Sequence, residues 1–454
     1  MINIDMLDVA RAVGGVLVGN TNAYIKGVSI DSKKIESNNL FIPIIGQNHD
    51  GHEFIDEVIK KNVTCFLLQK DHERPKNAPS TITYIIVEDT LKALQDLATY
   101  YINIISPYVI GITGSNGKTT AKDMLYAIMS KKYKCARTIG NQNNEIGVPL
   151  SILGFDSNIK CAIIEMGVEN YGDIDKLCKI VRPNVSIITS IGSAHIANFN
   201  DSKKNIARAK LEIYTNLRSK GYMFYNKESK EIDRELRKII SSQCPCFGFG
   251  DGTDLYIDGD IKYVDGKTAF KCSGYDVEFK INTIGRHNVM NALACIGVGL
   301  HEGININDIA SALNNVSFDK MRCNVISIGQ TVIIDDSYKS NPESAMAAIE
   351  ILKEFDDYKK IICFGDMLDL GREEISYHKE LGSFIKSCGY VDEVVVVGEL
   401  SKAIIEKSGG ESFENHEECA KYLNRYIGSK TVILVKGSRA TGMDKIVKIL
   451  RKAK

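Results

Sequence analysis

The sequence has no apolar run long enough to cross a bilayer, which takes about 20 consecutive residues in a helix. Helical membrane insertion is therefore not expected. The first residues, Met-Ile-Asn-Ile-Asp-Met-Leu-Asp, lack the basic-then-apolar layout of a signal peptide. A cytoplasmic location is the expectation. Neither sign of charge is in excess: 57 Lys and Arg face 57 Asp and Glu. That balance argues against nucleic acid or an anionic membrane as the main partner. There is no cysteine framework. Twelve cysteines are scattered, and only Cys244 and Cys246 stand close. One Cys-x-Cys makes neither a zinc site nor a redox motif. Reduced, mostly buried thiols are expected. Internal repeats and low-complexity segments are also missing. A chain of 454 residues, 44% apolar and 25% charged, has an ordinary globular composition and is too long for one core. Two to four domains are expected.

What is present is centred on Tyr108 to Thr120, Tyr-Val-Ile-Gly-Ile-Thr-Gly-Ser-Asn-Gly-Lys-Thr-Thr. Val109 to Ile112 reads as a buried strand. Thr113 to Gly117 is small, polar and glycine-containing. From Lys118-Thr119-Thr120 a helical pattern continues through Met124, Leu125, Ile128 and Met129. Strand, glycine loop and helix start are the context of a phosphate-binding loop. Its N–H groups and the helix N-terminus attract an anion. Lys118 adds a mobile charge at the β- and γ-phosphates, and the Thr119 hydroxyl suits Mg²⁺. The strict pattern wants glycine five residues before Gly117, and Ile112 stands there.

Around this loop the chain reads as α/β in three parts, 1–106, 107–316 and 317–454. In the first, Met6 to Val13 is helix-like. Tyr24 to Ile30, Leu40 to Ile44, Cys65 to Leu68 and Tyr84 to Val87 are strand-like. In the second, strands at Cys161 to Met166, Val185 to Thr189 and Gly221 to Tyr225 alternate with helices, which predicts a mainly parallel sheet. Leu255 to Ile281, with turns at Asp265-Gly266 and Ser273-Gly274, predicts an antiparallel insert. In the third, Thr331 to Ile334, Lys360 to Phe364, Glu393 to Val397 and Thr431 to Val435 repeat the alternation as a Rossmann-like unit. A Gly-x-Gly-x-x-Gly after its first strand is absent, which disfavours a nicotinamide cofactor.

Ligands in such sheets sit beyond the carboxyl ends of strands. Glu165 and His195 fall there and are plausible ligands of hard cations or their waters. Gly140-Asn-Gln-Asn-Asn-Glu-Ile-Gly147 is dense in amides, which suits a polar ligand or a solvated turn. Lys210 lies on a helix beginning near Ser202, and by spacing alone belongs to a solvated basic face with Lys203, Lys204 and Arg208. Asn288 either faces a base or caps a helix. Phe41 to Phe54 packs histidines, an aspartate and glycines into a polar turn.

Taken together, Asp50-Gly51-His52, Thr113 to Thr120, Gly140 to Pro149, Glu165-Met-Gly167, Ala194-His195, Ala209-Lys210, His287-Asn288, Met321-Arg322, Ile334 to Tyr338, Gly365 to Leu368 and Val435 to Arg439 resemble the motifs of the Mur ligases. These are the ATP-dependent amide ligases of peptidoglycan assembly, and the family shares the missing glycine of the phosphate loop. The resemblance implies a UDP-sugar-binding first domain, a central ATP-binding domain and a Rossmann-like third domain. It implies ligation of D-alanyl-D-alanine to a UDP-N-acetylmuramoyl-tripeptide. The sister activity, addition of a single amino acid to a muramoyl peptide or folate, stays open, as does a non-catalytic nucleotide-binding regulator.

By the same resemblance Thr113, Gly114, Ser115, Asn116, Gly117, Lys118, Thr119 and Thr120 cradle ATP, with Asn288, Arg322 and Asp336 across the cleft. Thr119 and Glu165 hold one Mg²⁺; His195 and a CO₂-derived carbamate on Lys210 hold a second. Ser32, Gly46, Asp50, Gly51 and His52 bind the UDP end, Asn141, Asn143 and Asn144 line the substrate path, and Lys436 and Ser438 meet the dipeptide. Lys118, Glu165, His195 and Lys210 are the catalytic set. A monomer is expected. Three departures stand out. Lys33 replaces the usual Arg after Ser32. Lys339-Ser340 interrupts a loop usually read Asp-Asp-Ser-Tyr-Asn-Ala-Asn-Pro. Asn200-Asp201 replaces Gly-Ser, mildly, since Asn tolerates a left-handed backbone.

Overall fold

A computed structural model of the chain describes residues 3–74, 79–240, 244–264, 266–318 and 321–452. Three α/β layers follow one another. The first carries a five-stranded sheet ordered Val16–Val18, Thr83–Val87, Cys65–Gln69, Asn39–Phe41, Gly27–Ser29. The first pair is antiparallel and the rest are parallel. Two expectations are corrected here. The run Tyr24 to Ile30 is split: Tyr24–Ile25 pairs with Ile4–Asp5, and Gly27–Ser29 joins the larger sheet. The chain changes sheets at Lys26, whose amide bonds the Asn38 carbonyl. The run Leu40 to Ile44 ends as a strand at Phe41, just before Pro43, which has no N–H to extend a ladder.

The helix Thr90–Ile105 starts on Asp89, whose side chain accepts from the Lys92 amide at 2.9 Å. Ala93, Leu94, Leu97, Ala98, Tyr101 and Ile102 recur at helical spacing and are buried. They join one core with Val148, Ile152, Ile174 and Leu177 from the central part. At roughly 1.5–3 kcal/mol for each large apolar side chain buried, this shared core ties the two parts firmly.

The central sheet has six parallel strands, ordered Cys246–Phe249, Tyr222–Asn226, Val185–Ile188, Tyr108–Thr113, Cys161–Glu165, Cys135–Arg137. Apolar clusters cover both faces, which is why its strands read as continuous β-branched runs. The expected antiparallel insert is Ile257–Val264, Lys267–Cys272 and Phe279–Ile281. Of its turns, Asp265 lies outside the described residues. The third sheet is ordered Asn324–Ile328, Thr331–Asp336, Thr431–Lys436, Lys359–Gly365, Glu393–Val397, Glu411–Phe413, parallel except for its first pair. The short edge strands Val16–Val18, Cys135–Arg137 and Glu411–Phe413 were not legible in the sequence, being too brief for a periodicity; the five-residue edge strand Asn324–Ile328 was also missed.

The twelve cysteines carry free thiols, as expected. Among the described residues no helix is long and apolar enough to cross a membrane. The carboxyl ends of the central strands Tyr108–Thr113, Cys161–Glu165 and Val185–Ile188 open onto one cavity. The ends of Thr331–Asp336 and Thr431–Lys436 close it from the third layer.

Candidate active site

The cavity, about 830 Å³, is lined by the glycine loop, Glu165, His195, Lys210 and residues of the third layer. The loop leaves the central strand and enters the helix Lys118–Met129. Gly114 (φ +154°) and Gly117 (φ +82°) hold left-handed backbone, and a Cβ would meet Thr189 Oγ1 at 1.9 Å and Asn291 Oδ1 at 2.3 Å respectively. Only glycine fits either place. The Lys118 ammonium folds back onto the Gly114 carbonyl at 2.7 Å. Burial, then the charge of Lys339, pushes Lys118 down to about 8, against a pull from Glu165.

Glu165 is buried, and its register partner is Ile112 on the loop-bearing strand. Thr119 Oγ1 donates to one carboxylate oxygen at 2.8 Å and Asn143 Nδ2 to the other at 2.8 Å. Lys122 Nζ, also buried, stands 3.5 Å from it. Two hard oxygens, one anionic, thus sit side by side at the mouth of the phosphate loop. This donor set fits Mg²⁺.

His195 follows the strand Val185–Ile188 with φ +58°, an uncommon backbone for a side-chain-bearing residue. Burial, then the charges of Lys339, Lys118 and Lys210, holds its imidazolium down at about 3. The ring is therefore neutral near neutral pH, and its Nε2 lies 3.0 Å from Lys339 Nζ. A second metal ion bound through this nitrogen does not fit while that ammonium is in place.

Lys210 belongs to the helix Lys203–Thr215 and is buried. The solvated basic face suggested by spacing is corrected: the helix turns this lysine inward and leaves Arg208 half out. Burial, then Lys118 and Lys339, holds its pKa well below the usual lysine range. A neutral buried amine is the form that adds CO₂, so the residue fits a carbamate.

Across the cavity, the Arg322 guanidinium lies 4.0 Å over the Tyr338 ring, and its buried Nε has no hydrogen-bond partner. Asp336 accepts from the Cys323 amide at 3.1 Å and pairs with Lys436 Nζ at 2.5 Å. Lys436 also donates to the Lys339 carbonyl at 2.8 Å. It acts here as a strut beneath the Tyr338–Lys339 turn. Ser438 Oγ accepts from the Leu368 amide at 2.9 Å. Asn288 donates to Thr283 Oγ1 at 3.0 Å and the Ile284 carbonyl at 2.8 Å while lining the cavity. Asn141, Asn143 and Asn144 line it too; Asn144 Oδ1 accepts from the Gly147 amide at 2.8 Å.

The third layer is docked on the phosphate loop. Asn341 and Asn116 exchange amide hydrogen bonds at 2.9 and 3.2 Å. Glu343 accepts from the Ser193 amide at 2.9 Å and hydroxyl at 2.8 Å, and pairs with Lys203 at 2.7 Å. Sequence reasoning missed Lys122, Asn341 and Glu343. The Asn341-Pro342 start and Ser344 form a capping box, a signal that was available; nothing local marked Lys122. Asn200 and Asp201 both adopt left-handed backbone, at φ 54° and 53°, in line with the tolerance expected of Asn.

Ser32, Gly46, Asp50, Gly51 and His52 lie in the first layer, away from the cavity lining. His52 Nδ1 and Asp50 Oδ1 are 2.7 Å apart, and the Gln69 amide donates to His52 Nε2 at 3.1 Å. His52 is thereby neutral with its proton on Nδ1. His72, also missed, places Nε2 at 2.7 Å from Asp50 Oδ2 and stacks on His52 at 3.7 Å. Burial would raise Asp50, but hydrogen bonds from His52 and His72 outweigh it and hold it at about 2. The Asp50 bond in turn raises His72. Ser32 Oγ is 3.4 Å from Glu57, Gly46 is exposed, and Lys33 points to solvent.

Comparison with known proteins agrees with this layout. Residues 24–101 match the Mur ligase family catalytic domain, 112–299 the Mur ligase middle domain, and 321–439 the Mur ligase glutamate ligase domain. The UDP-N-acetylmuramoyl-tripeptide–D-alanyl-D-alanine ligase of Bacillus subtilis (strain 168) is 34% identical, covering 99% of both chains. A crystal structure of MurF from Acinetobacter baumannii superposes with TM-score 0.90 at 29% identity, covering 100% of this chain and 99% of that one. MurF ligase from Thermotoga maritima in complex with ADP gives 0.84 at 28%, covering 94% and 97%. With all three domain models matched in order and a relative of such identity along nearly its whole length, the chain belongs to the Mur ligase family.

Proposed function

We propose that this chain is the ATP-dependent ligase that joins D-alanyl-D-alanine to the terminal carboxylate of UDP-N-acetylmuramoyl-tripeptide, in the cytoplasm, as a monomer. The observation that carries the reading is the convergence of Lys118, Lys339 and Arg322 on one cavity beside a phosphate loop. Cations set around a glycine loop and a helix N-terminus suit the phosphates of a nucleotide. The relatives' names supply the acceptor and donor. We assign 1–106 to the UDP sugar, 107–316 to ATP and 317–454 to the incoming dipeptide.

The reaction runs in two steps. A free carboxylate is a poor acylating agent, so its oxygen first attacks the γ-phosphorus of ATP, giving an acyl phosphate and ADP. The dipeptide amine then attacks the acyl carbon. A tetrahedral intermediate forms, and phosphate leaves as the amide is made. Thr119 and Glu165 would hold Mg²⁺, which would supply charge neutralisation to the phosphates. The chain contributes mostly position and charge. The loop amides from Gly114 to Thr119 cradle the phosphates, and the Lys118 ammonium leaves the Gly114 carbonyl to meet them. Asn288, Arg322 and Asp336 bind the nucleotide from the far side. Lys210, as the neutral amine, adds CO₂ with loss of a proton to water and so presents an anionic oxygen. Asn141, Asn143 and Asn144 line the peptide path; Ser32, Gly46, Asp50, Gly51 and His52 hold the UDP end. Lys436 and Ser438 stand on the dipeptide side. Docking of Asn341 on Asn116 closes the cleft against water.

The experiment is phosphate release from ATP with muramoyl tripeptide and either D-alanyl-D-alanine or single amino acids. Turnover with the dipeptide alone is the expected result. Turnover with a single amino acid instead would assign the sister activity. ATP binding with no turnover on any acceptor would make the chain a regulator.

A further inference from the structure

The loop after Thr331–Asp336 delivers an ammonium into the cavity. Lys339 Nζ lies 3.0 Å from His195 Nε2. An ammonium has donors and no lone pair, and a neutral imidazole offers one nitrogen lone pair in its ring plane. That lone pair takes one partner at a time. A divalent cation such as Mg²⁺ would stand about 2.0–2.1 Å from its ligand atom, inside the space the Lys339 hydrogen bond fills.

The lysine is not on a free tether. Its carbonyl accepts from Lys436 Nζ at 2.8 Å, and Lys436 is buried and paired with Asp336. On its other side Ser340 and Asn341 are buried, and Asn341 is paired with Asn116 of the phosphate loop. The backbone on both sides of Lys339 is therefore fixed, and the side chain is aimed across the cleft. Among the described residues its ammonium has no carboxylate at ion-pair distance; Asp369, Glu169 and Glu165 act on it only from farther away. Its charge is unspent.

We propose that Lys339 is the resident cation of the His195 position, taking the place of a second divalent ion and holding an oxygen of the transferred phosphoryl group. This rests on the nucleotide reading above. It also gives the interrupted loop a purpose: a cation fixed by the chain, arriving only when the third domain docks, replaces one recruited from solution.

The test counts Mn²⁺ by electron paramagnetic resonance on the full-length protein, with a non-hydrolysable ATP analogue at saturation and bicarbonate present. A single Mn²⁺ is expected on the wild type and on Lys339→Arg. A second is expected on Lys339→Asn and Lys339→Met, which remove the charge while keeping, in Met, much of the stem; circular dichroism checks their folding. A second Mn²⁺ on the wild type, or none gained by either neutral variant, overturns the role of Lys339 and leaves the nucleotide site standing. Failure of the wild type to bind the analogue at all, in a calorimetric control, overturns both.

Discussion

The cleft and the Asp50–His52–His72 cluster of the first domain both gather ionisable groups, but they treat charge in opposite ways. In the first domain every polar atom of the cluster has a complement: Asp50 lies between two imidazoles, and His52 is bonded at both ring nitrogens. In the cleft, burial first and then neighbouring cations hold down the pKa values of Lys118, Lys210 and Lys339, and Arg322 carries an unpartnered buried Nε. A satisfied cluster stabilises the fold it sits in. A crowd of like charges costs stability in the empty protein and is relieved by an anionic ligand. The comparison teaches where the ligand's charge goes.

The comparison breaks most visibly at Lys210. Lys210→Ala should abolish phosphate release, and added short-chain carboxylate should partly restore it by standing in for the carbamate. Full activity without rescue would remove Lys210 from the mechanism. Next in size, Lys118→Ala should lower kcat by about 100- to 1000-fold, the usual loss when one preorganised charge-stabilising donor is deleted; steady-state kinetics at saturating ATP reads this. In the first domain the effect should fall on stability instead. His52→Ala strips Gln69 of an acceptor and Asp50 of a donor, and should cost about 1–3 kcal/mol in urea unfolding, with ATP-analogue affinity unchanged.

The smallest effect is a difference in sign with pH. His72 is raised, so its stabilisation is complete below its ordinary value of 6.5 and is lost as pH climbs through the higher folded value. Asp50 is depressed, so its contribution is present above its ordinary 3.8 and is lost as pH falls towards about 2. Lys118 is depressed to about 8, so the empty fold gains stability as pH rises from there towards 10.5. Urea midpoints against pH should show the first slope vanish in His72→Ala. The last should vanish in Lys118→Met, and in the wild type saturated with nucleotide analogue.

Much of the fold was legible because it is written at short range. The phosphate loop is contiguous, and both parallel sheets announce themselves as β-branched runs between helical periods. Glu165 and His195 were placed by the rule that ligands gather at strand ends. The sheet change at Lys26 and the short edge strands escaped, since two- and three-residue strands hold no period. Lys210 was misjudged from its helix because neighbouring lysines suggested a wet face, while the packing of that helix turned the one residue inward.

By itself the sequence determined three α/β layers, a phosphate loop that only glycines can make, and a net charge of zero. It could do so because strand and helix periods, turns and loops depend on neighbours along the chain. Tertiary structure alone decided that Lys339 meets His195, 144 positions away, that Asn341 meets Asn116 across 225, and that His72 closes on Asp50. Such pairings follow from how whole layers dock, through buried apolar area and burial of charge, and no local pattern encodes the distance between two side chains brought together that way.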